Sequence, residues 1–145
     1  MRKYIYIIIL SLFVLSGCKK DPSFTQKQVT AFFTLSGNFQ AYSNDAVIEA
    51  VISFQTRYST PQLLSGKDVY VHGECAFSDA DYTIPDQGYT SCYYALSDNA
   101  DEIFLYHKGG SDSKKLLRSY KMAILDTDNI HFTYEGRILK FERVK

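Results

Sequence analysis

Cysteine is scarce in this chain of 145 residues, with three copies, and no two stand in a Cys-x-x-Cys spacing. That argues against a thiol redox pair, and no Cys/His cluster or His-x-x-x-His pair points to bound zinc. A surplus of positive charge is missing too, since 16 Lys and Arg balance 16 Asp and Glu. Nucleic-acid binding draws on a basic face, so nucleic acid is not an expected partner. No Gly-x-Ser-x-Gly occurs, and Gly109-Gly110-Ser111 lacks the Lys-Ser/Thr that follows a phosphate-cradling loop. No apolar run reaches the about 20 residues that cross a bilayer as a helix. The expectation is a protein that is not an enzyme and uses no cofactor and no metal.

The longest apolar run comes first. Met1-Arg2-Lys3 leads an apolar stretch from Tyr4 to Leu15, which ends in Leu15-Ser16-Gly17-Cys18 before Lys19, Lys20 and Asp21. A basic head, a short apolar core and small residues before a cut are the parts of a secretory signal. With cysteine straight after Leu-Ser-Gly, the stretch resembles the lipobox of bacterial lipoproteins. The resemblance implies that residues 1–17 are removed and that Cys18 becomes the first residue, thioether-linked to diacylglycerol and N-acylated (palmitate is a usual acyl chain). The partner it implies is a membrane, held through Cys18. Lys19 rather than Asp follows the cysteine, which leans toward the outer membrane of a cell envelope. Residues 18–27 read as a polar tether containing Pro22, and residues 28–145 as one domain.

Cleavage would leave two further cysteines, Cys75 and Cys92, in a compartment where disulfides persist. If Asp68–Ser78 and Tyr89–Ser97 are adjacent antiparallel strands, pairing Ser78 with Tyr89 sets Cys75 opposite Cys92. A disulfide is the expectation, and two buried reduced thiols are the alternative.

Beyond the tether the sequence alternates. Leu35, Gly37, Phe39 and Ala41 share one face of a first strand, and Val47 to Gln55 reads as a second. Tyr58 to Lys67 reads as a loop. Val69, Val71, Gly73, Cys75 and Phe77 share a face of the third strand, with Tyr70, His72, Glu74 and Ala76 on the other. Tyr89–Ser97, Glu102–Lys108 and Leu116–Leu125 follow, the last alternating through Leu116, Arg118, Tyr120, Met122 and Ile124. A final hairpin turns at Glu135-Gly136 and sets Phe132 against Leu139 and Ile130 against Phe141. Phe24–Phe33 reads equally as a helical turn or as an extension of the first strand. Eight strands joined in sequence predict an all-β, eight-stranded antiparallel up-and-down barrel, with a two-sheet β-sandwich as the alternative.

Leu35-Ser36-Gly37-Asn38-Phe39, the run Tyr120-Lys121-Met122-Ala123-Ile124-Leu125-Asp126-Thr127-Asp128-Asn129-Ile130-His131-Phe132 and the closing Leu139-Lys140-Phe141-Glu142-Arg143 resemble the lipocalin-like lipoproteins common in Bacteroidota. Members often carry Trp after the early Gly, whereas this chain has Phe39 and no Trp. The resemblance implies a small calycin-type barrel and brings no catalytic residues.

Few side chains suggest chemistry. His72 and Glu74, two apart on one strand, could meet a third polar group as an envelope enzyme site, though a surface ion pair is the expected reading. Asp79, Asp81 and Asp86 form an acidic loop, but Thr83 and Ile84 do not fit an EF-hand, so no calcium site is expected. Tyr70, Tyr93, Phe104 and Tyr106 fall opposite the core face, with Tyr93 facing Tyr106 across a hairpin. They are possible binding residues for an envelope protein partner. A small apolar ligand inside the barrel is the other candidate partner, with room from Gly37, Gly73 and Ala41.

Overall fold

Eight segments with alternating apolar residues fold as eight antiparallel strands, each bonded to its chain neighbour, and the last returns to pair with the first. A computed structural model describes residues 22–64, 66, 68–80, 90–109 and 113–145. The leader, Cys18, Asp81 and Asp86 lie outside the described residues. The strands are β1 (Gly37–Tyr42), β2 (Ile48–Leu63), β3 (Tyr70–Asp79), β4 (Thr90–Leu96), β5 (Glu102–His107), β6 (Leu116–Ile124), β7 (Asn129–Tyr134) and β8 (Arg137–Arg143), preceded among the described residues by the helix α1 (Gln26–Thr34). The result is a closed up-and-down barrel, not a sandwich, and β1–β8 pairing removes the exposed edges that an open sheet would keep.

Local chemistry accounts for the registers. Glu135 and Gly136 both take positive φ, 47° and 80°, as a two-residue primed turn requires, and Ile130 faces Phe141 while Phe132 faces Leu139. At the preceding bend the Asp126 carboxylate accepts from the backbone N–H groups of Asp128 and Asn129, both at 2.8 Å, and the Asp128 bond, then the Asn129 side-chain amide at 2.9 Å, hold its pKa low. Between β5 and β6 a bulge shifts the register at Tyr106, so Leu117 turns inward and Leu116, which alternation set on one face with Tyr120 and Met122, is 54% exposed.

The helix has its own start signal. Thr25 Oγ1 accepts from the Gln28 N–H while Gln28 Oε1 accepts from the Thr25 N–H, a reciprocal capping box. Gln28, Ala31, Phe32 and Leu35 follow helical spacing and are buried. They lay α1 across the barrel end formed by the starts of the odd strands and the ends of the even ones. Gln28 Nε2 donates to the carbonyls of Leu96 and Ser97, and Thr25 Oγ1 to that of Asp98. At the other end of α1 the Arg143 guanidinium donates to the carbonyls of Thr34, Ser36 and Thr127 and lies 4.5 Å above the Phe39 ring. Phe24 stacks edge-on against Phe32 at 4.9 Å, so packing begins before residue 28, where the domain was expected to start.

The interior is filled by rings. Phe39, Phe54 and Tyr94 touch in series, as do Phe77, Tyr120, Phe132 and Phe141, and Ile52, Ile103, Leu105, Ile130 and Leu139 close the spaces between them. Among the described residues, Gly37 and Gly73 do not supply the expected openings. Gly37 is exposed at a bend with φ +86°, and the space above Gly73 holds Tyr94.

Candidate functional site

The aromatic residues singled out in the sequence divide into two groups. Tyr93 and Tyr106 lie directly opposite in the β4–β5 ladder, and Phe104 pairs with Ala95 two rungs further on, on the same face. All three are half-buried on the outer face of the barrel. Tyr70 is not with them. It pairs with Leu63 beyond a break in the β2–β3 register, where residues 58–61 of β2 have no partner rung.

That break delivers a residue the sequence reading passed over. Tyr58 donates its hydroxyl to Glu74 at 2.8 Å, and Lys108 Nζ bridges the same carboxylate at 2.6 Å while standing 5.6 Å from the centre of the Tyr93 ring. The Lys108 bond, then the Tyr58 bond, holds the Glu74 carboxyl below its usual range. Burial, followed by the Glu74 contact, pushes the Tyr58 phenol up. The outer face of β3, β4 and β5 thus carries an ion pair framed by Tyr58, Tyr93 and Tyr106, a surface able to bury aromatic area while offering hydrogen-bonding tips.

His72 is elsewhere. Alternation puts it beside Glu74, but the imidazole is covered by α1 and the residues before it, 6% exposed. Its ring meets Phe24 at 5.1 Å and Phe32 at 6.2 Å, and Nδ1 accepts from the Leu96 N–H at 2.9 Å. Burial lowers its pKa to about 4, so at neutral pH it is an uncharged acceptor. His72 and Glu74 therefore have separate surroundings and separate partners, and the His/Glu site expected as an alternative is not assembled.

Cys75 and Cys92 stand opposite each other in the β3–β4 register, as the strand argument required. They are nevertheless free thiols, which corrects the expected disulfide. Both are buried in the core, and Cys92 Sγ lies 3.4 Å from the Thr90 carbonyl. The hydrogen bond between the two sulfurs and complete burial push the Cys75 thiol well up, disfavouring the thiolate through which disulfides form.

The acidic loop residue Asp79 is likewise committed. It is buried at the end of β3, accepting from Arg137 at 2.8 and 3.0 Å and from the Tyr120 hydroxyl at 3.1 Å, with Arg118 3.7 Å away. Its oxygens neutralise arginines. Among the described residues no group of three His, Cys, Asp or Glu is arranged to hold a metal, and no helix is long and apolar enough to cross a membrane.

A cleft of about 420 Å³ opens between α1 and β2, walled by Phe32, Phe33, Leu35, Phe54, Arg57 and Tyr94 among others. No motif in the sequence marks it, because its walls come from three elements far apart in the chain.

No protein-family model, no curated protein and no solved structure matches this chain.

Proposed function

We propose that this protein is a lipid-anchored, non-catalytic binding or interaction domain of a bacterial cell envelope, held at the outer membrane through acyl chains on Cys18. Residues 1–17 serve as the export signal and the polar residues after Cys18 as a tether. The leader sequence supports the location, and the likeness to lipocalin-like lipoproteins agrees with it.

The observation that carries the recognition role is the filled barrel. Its interior is occupied by its own rings, so binding falls to the outside. There the β3–β5 face presents Tyr58, Tyr93, Phe104 and Tyr106 around the Glu74–Lys108 pair, the composition of a protein-binding surface. An envelope protein partner is therefore favoured over an apolar ligand held within the barrel. An enzyme built on His72 and Glu74 is disfavoured, because the two side chains face different surroundings.

Native mass spectrometry of the protein extracted gently from its own membrane tests both parts. The wild type is expected to carry acyl mass on its N-terminal peptide and to retain a second polypeptide, which Tyr93→Ala loses. An unmodified N-terminal peptide would overturn the anchor. A wild-type domain without a polypeptide partner would overturn the interaction role.

A further inference from the structure

The cleft between α1 and β2 is lined by two polar side chains, Tyr94 and Arg57, that make no side-chain hydrogen bond or ion pair to a described residue. Tyr94 is 1% exposed, yet its hydroxyl has no hydrogen-bond partner among the described residues. No buried side-chain nitrogen or oxygen among the described residues lacks a partner, so this unbonded hydroxyl keeps contact with solvent. Tyr94 is one of the residues that line this cleft, and its unbonded hydroxyl is available to a group that enters it. Arg57, on β2 at the rim, forms no ion pair with any described acid, and its guanidinium rests 5.5 Å from the centre of the Phe32 ring. Arg57 is near enough to Tyr94 for its charge to act on the phenol. Around these two groups Ser36, Gln55 and Thr56 share the walls with an apolar side made of the buried Phe32, Leu35 and Phe54 and of Phe33, which is 77% exposed.

We propose that this cleft binds a small amphiphile bearing one carboxylate on an apolar body, with the carboxylate between the Arg57 guanidinium and the Tyr94 hydroxyl and the apolar part against Phe32, Phe33 and Phe54. The charge complement argues for an anion, because the lining offers one cation, Arg57, the neutral donors Tyr94, Ser36, Gln55 and Thr56, and no acid. The walls argue for an apolar body, because a simple inorganic anion would leave Phe33 and Phe54 uncovered. A volume of about 420 Å³ lies within the range of about 300–1,000 Å³ usual for small-molecule sites. The inference does not depend on the lipid anchor or on the tyrosine face, and it places the ligand outside the ring-filled interior.

Photo-crosslinking of the full chain in its own membrane tests it. The probe is a ten-carbon fatty acid carrying a diazirine, competed with decanoate or with decanol. Adducts are expected on the segments 32–36 and 54–57, suppressed by decanoate and not by decanol. Arg57→Gln should lower labelling by about tenfold, the scale of one charge-assisted bond, while Arg57→Lys recovers part of it. Tyr94→Phe removes only an oxygen that bonds to nothing in the protein, so it should leave the unfolding midpoint unchanged and still weaken labelling. Adducts scattered over the lipid-facing surface, equal competition by decanol, or labelling indifferent to Arg57→Gln and Tyr94→Phe would each overturn the proposal.

Discussion

The ring of Tyr94 lies directly over the α-carbon of Gly73. A Cβ at Gly73 would stand 2.7 Å from Tyr94 Cε1 and 2.8 Å from its hydroxyl, and it would also collide with the Thr56 carbonyl oxygen. Gly73→Ala is therefore expected to destabilise the barrel by about 1–3 kcal/mol, the scale of an overpacked core. Adding Tyr94→Ala should not restore stability, because the Thr56 carbonyl belongs to the backbone and stays in the way. Urea unfolding of the single and double variants checks both statements.

The buried imidazole of His72 gives stability a defined pH dependence. The unfolded chain takes up this proton near the ordinary value of 6.5, the folded one only near about 4. Between those values unfolding binds a proton, so stability is complete above the upper one and falls as pH drops toward the lower one. The loss attributable to this side chain is about 3 kcal/mol. His72→Asn keeps an acceptor for the Leu96 N–H and cannot titrate, so its unfolding midpoint should be flatter than the wild type's across that window. Equal slopes for the two proteins would refute the assignment.

Arg143 fastens α1 to the barrel end. It donates to the Thr34 and Thr127 carbonyls at 2.7 Å and reaches the Asp128 carboxylate at 3.2 Å while covering Phe39. Arg143→Ala should cost about 2–3 kcal/mol and speed amide exchange in α1 more than in β4 or β5. Arg143→Lys should recover only part of this, since a single ammonium cannot fork to three carbonyls.

The thiols of Cys75 and Cys92 should escape maleimide in the folded protein and react together once it unfolds. Intact-mass measurement before and after denaturation counts them. A mass short by two hydrogens, with no thiol released on unfolding, would show a crosslink instead.

Alternation was enough to foresee the barrel. The pairings of Cys75 with Cys92, Tyr93 with Tyr106 and Phe132 with Leu139 all follow from period-two spacing and turn chemistry. Departures from alternation were not legible. β2 continues through Pro61 to Leu63, because Pro61 sits where the ladder to β3 is interrupted and no N–H is required of it. The bulge that turns Leu117 inward and the packing of α1 over His72 have no local marker. Thr25 and Gln28 did carry a capping-box signature, but Phe32-Phe33 suits a strand as well as a helix. The residues of the α1–β2 cleft stayed out of sight because only the folded barrel brings Phe33, Arg57 and Tyr94 together.

Closure at the β1–β8 seam also dictates an order of assembly. Ala41 pairs with Phe141 and Phe39 with Arg143, so the strand that forms first in the chain waits for the one that emerges last. Every other neighbouring pair is consecutive in sequence and can form as the chain appears. Until Arg137–Arg143 arrives, β1 and β7 each offer an unsatisfied row of backbone groups, and α1 lacks the Arg143 clasp. A chain interrupted before Arg137 should satisfy those edges with a second copy, and size-exclusion chromatography would show it as oligomers rather than as a smaller monomer.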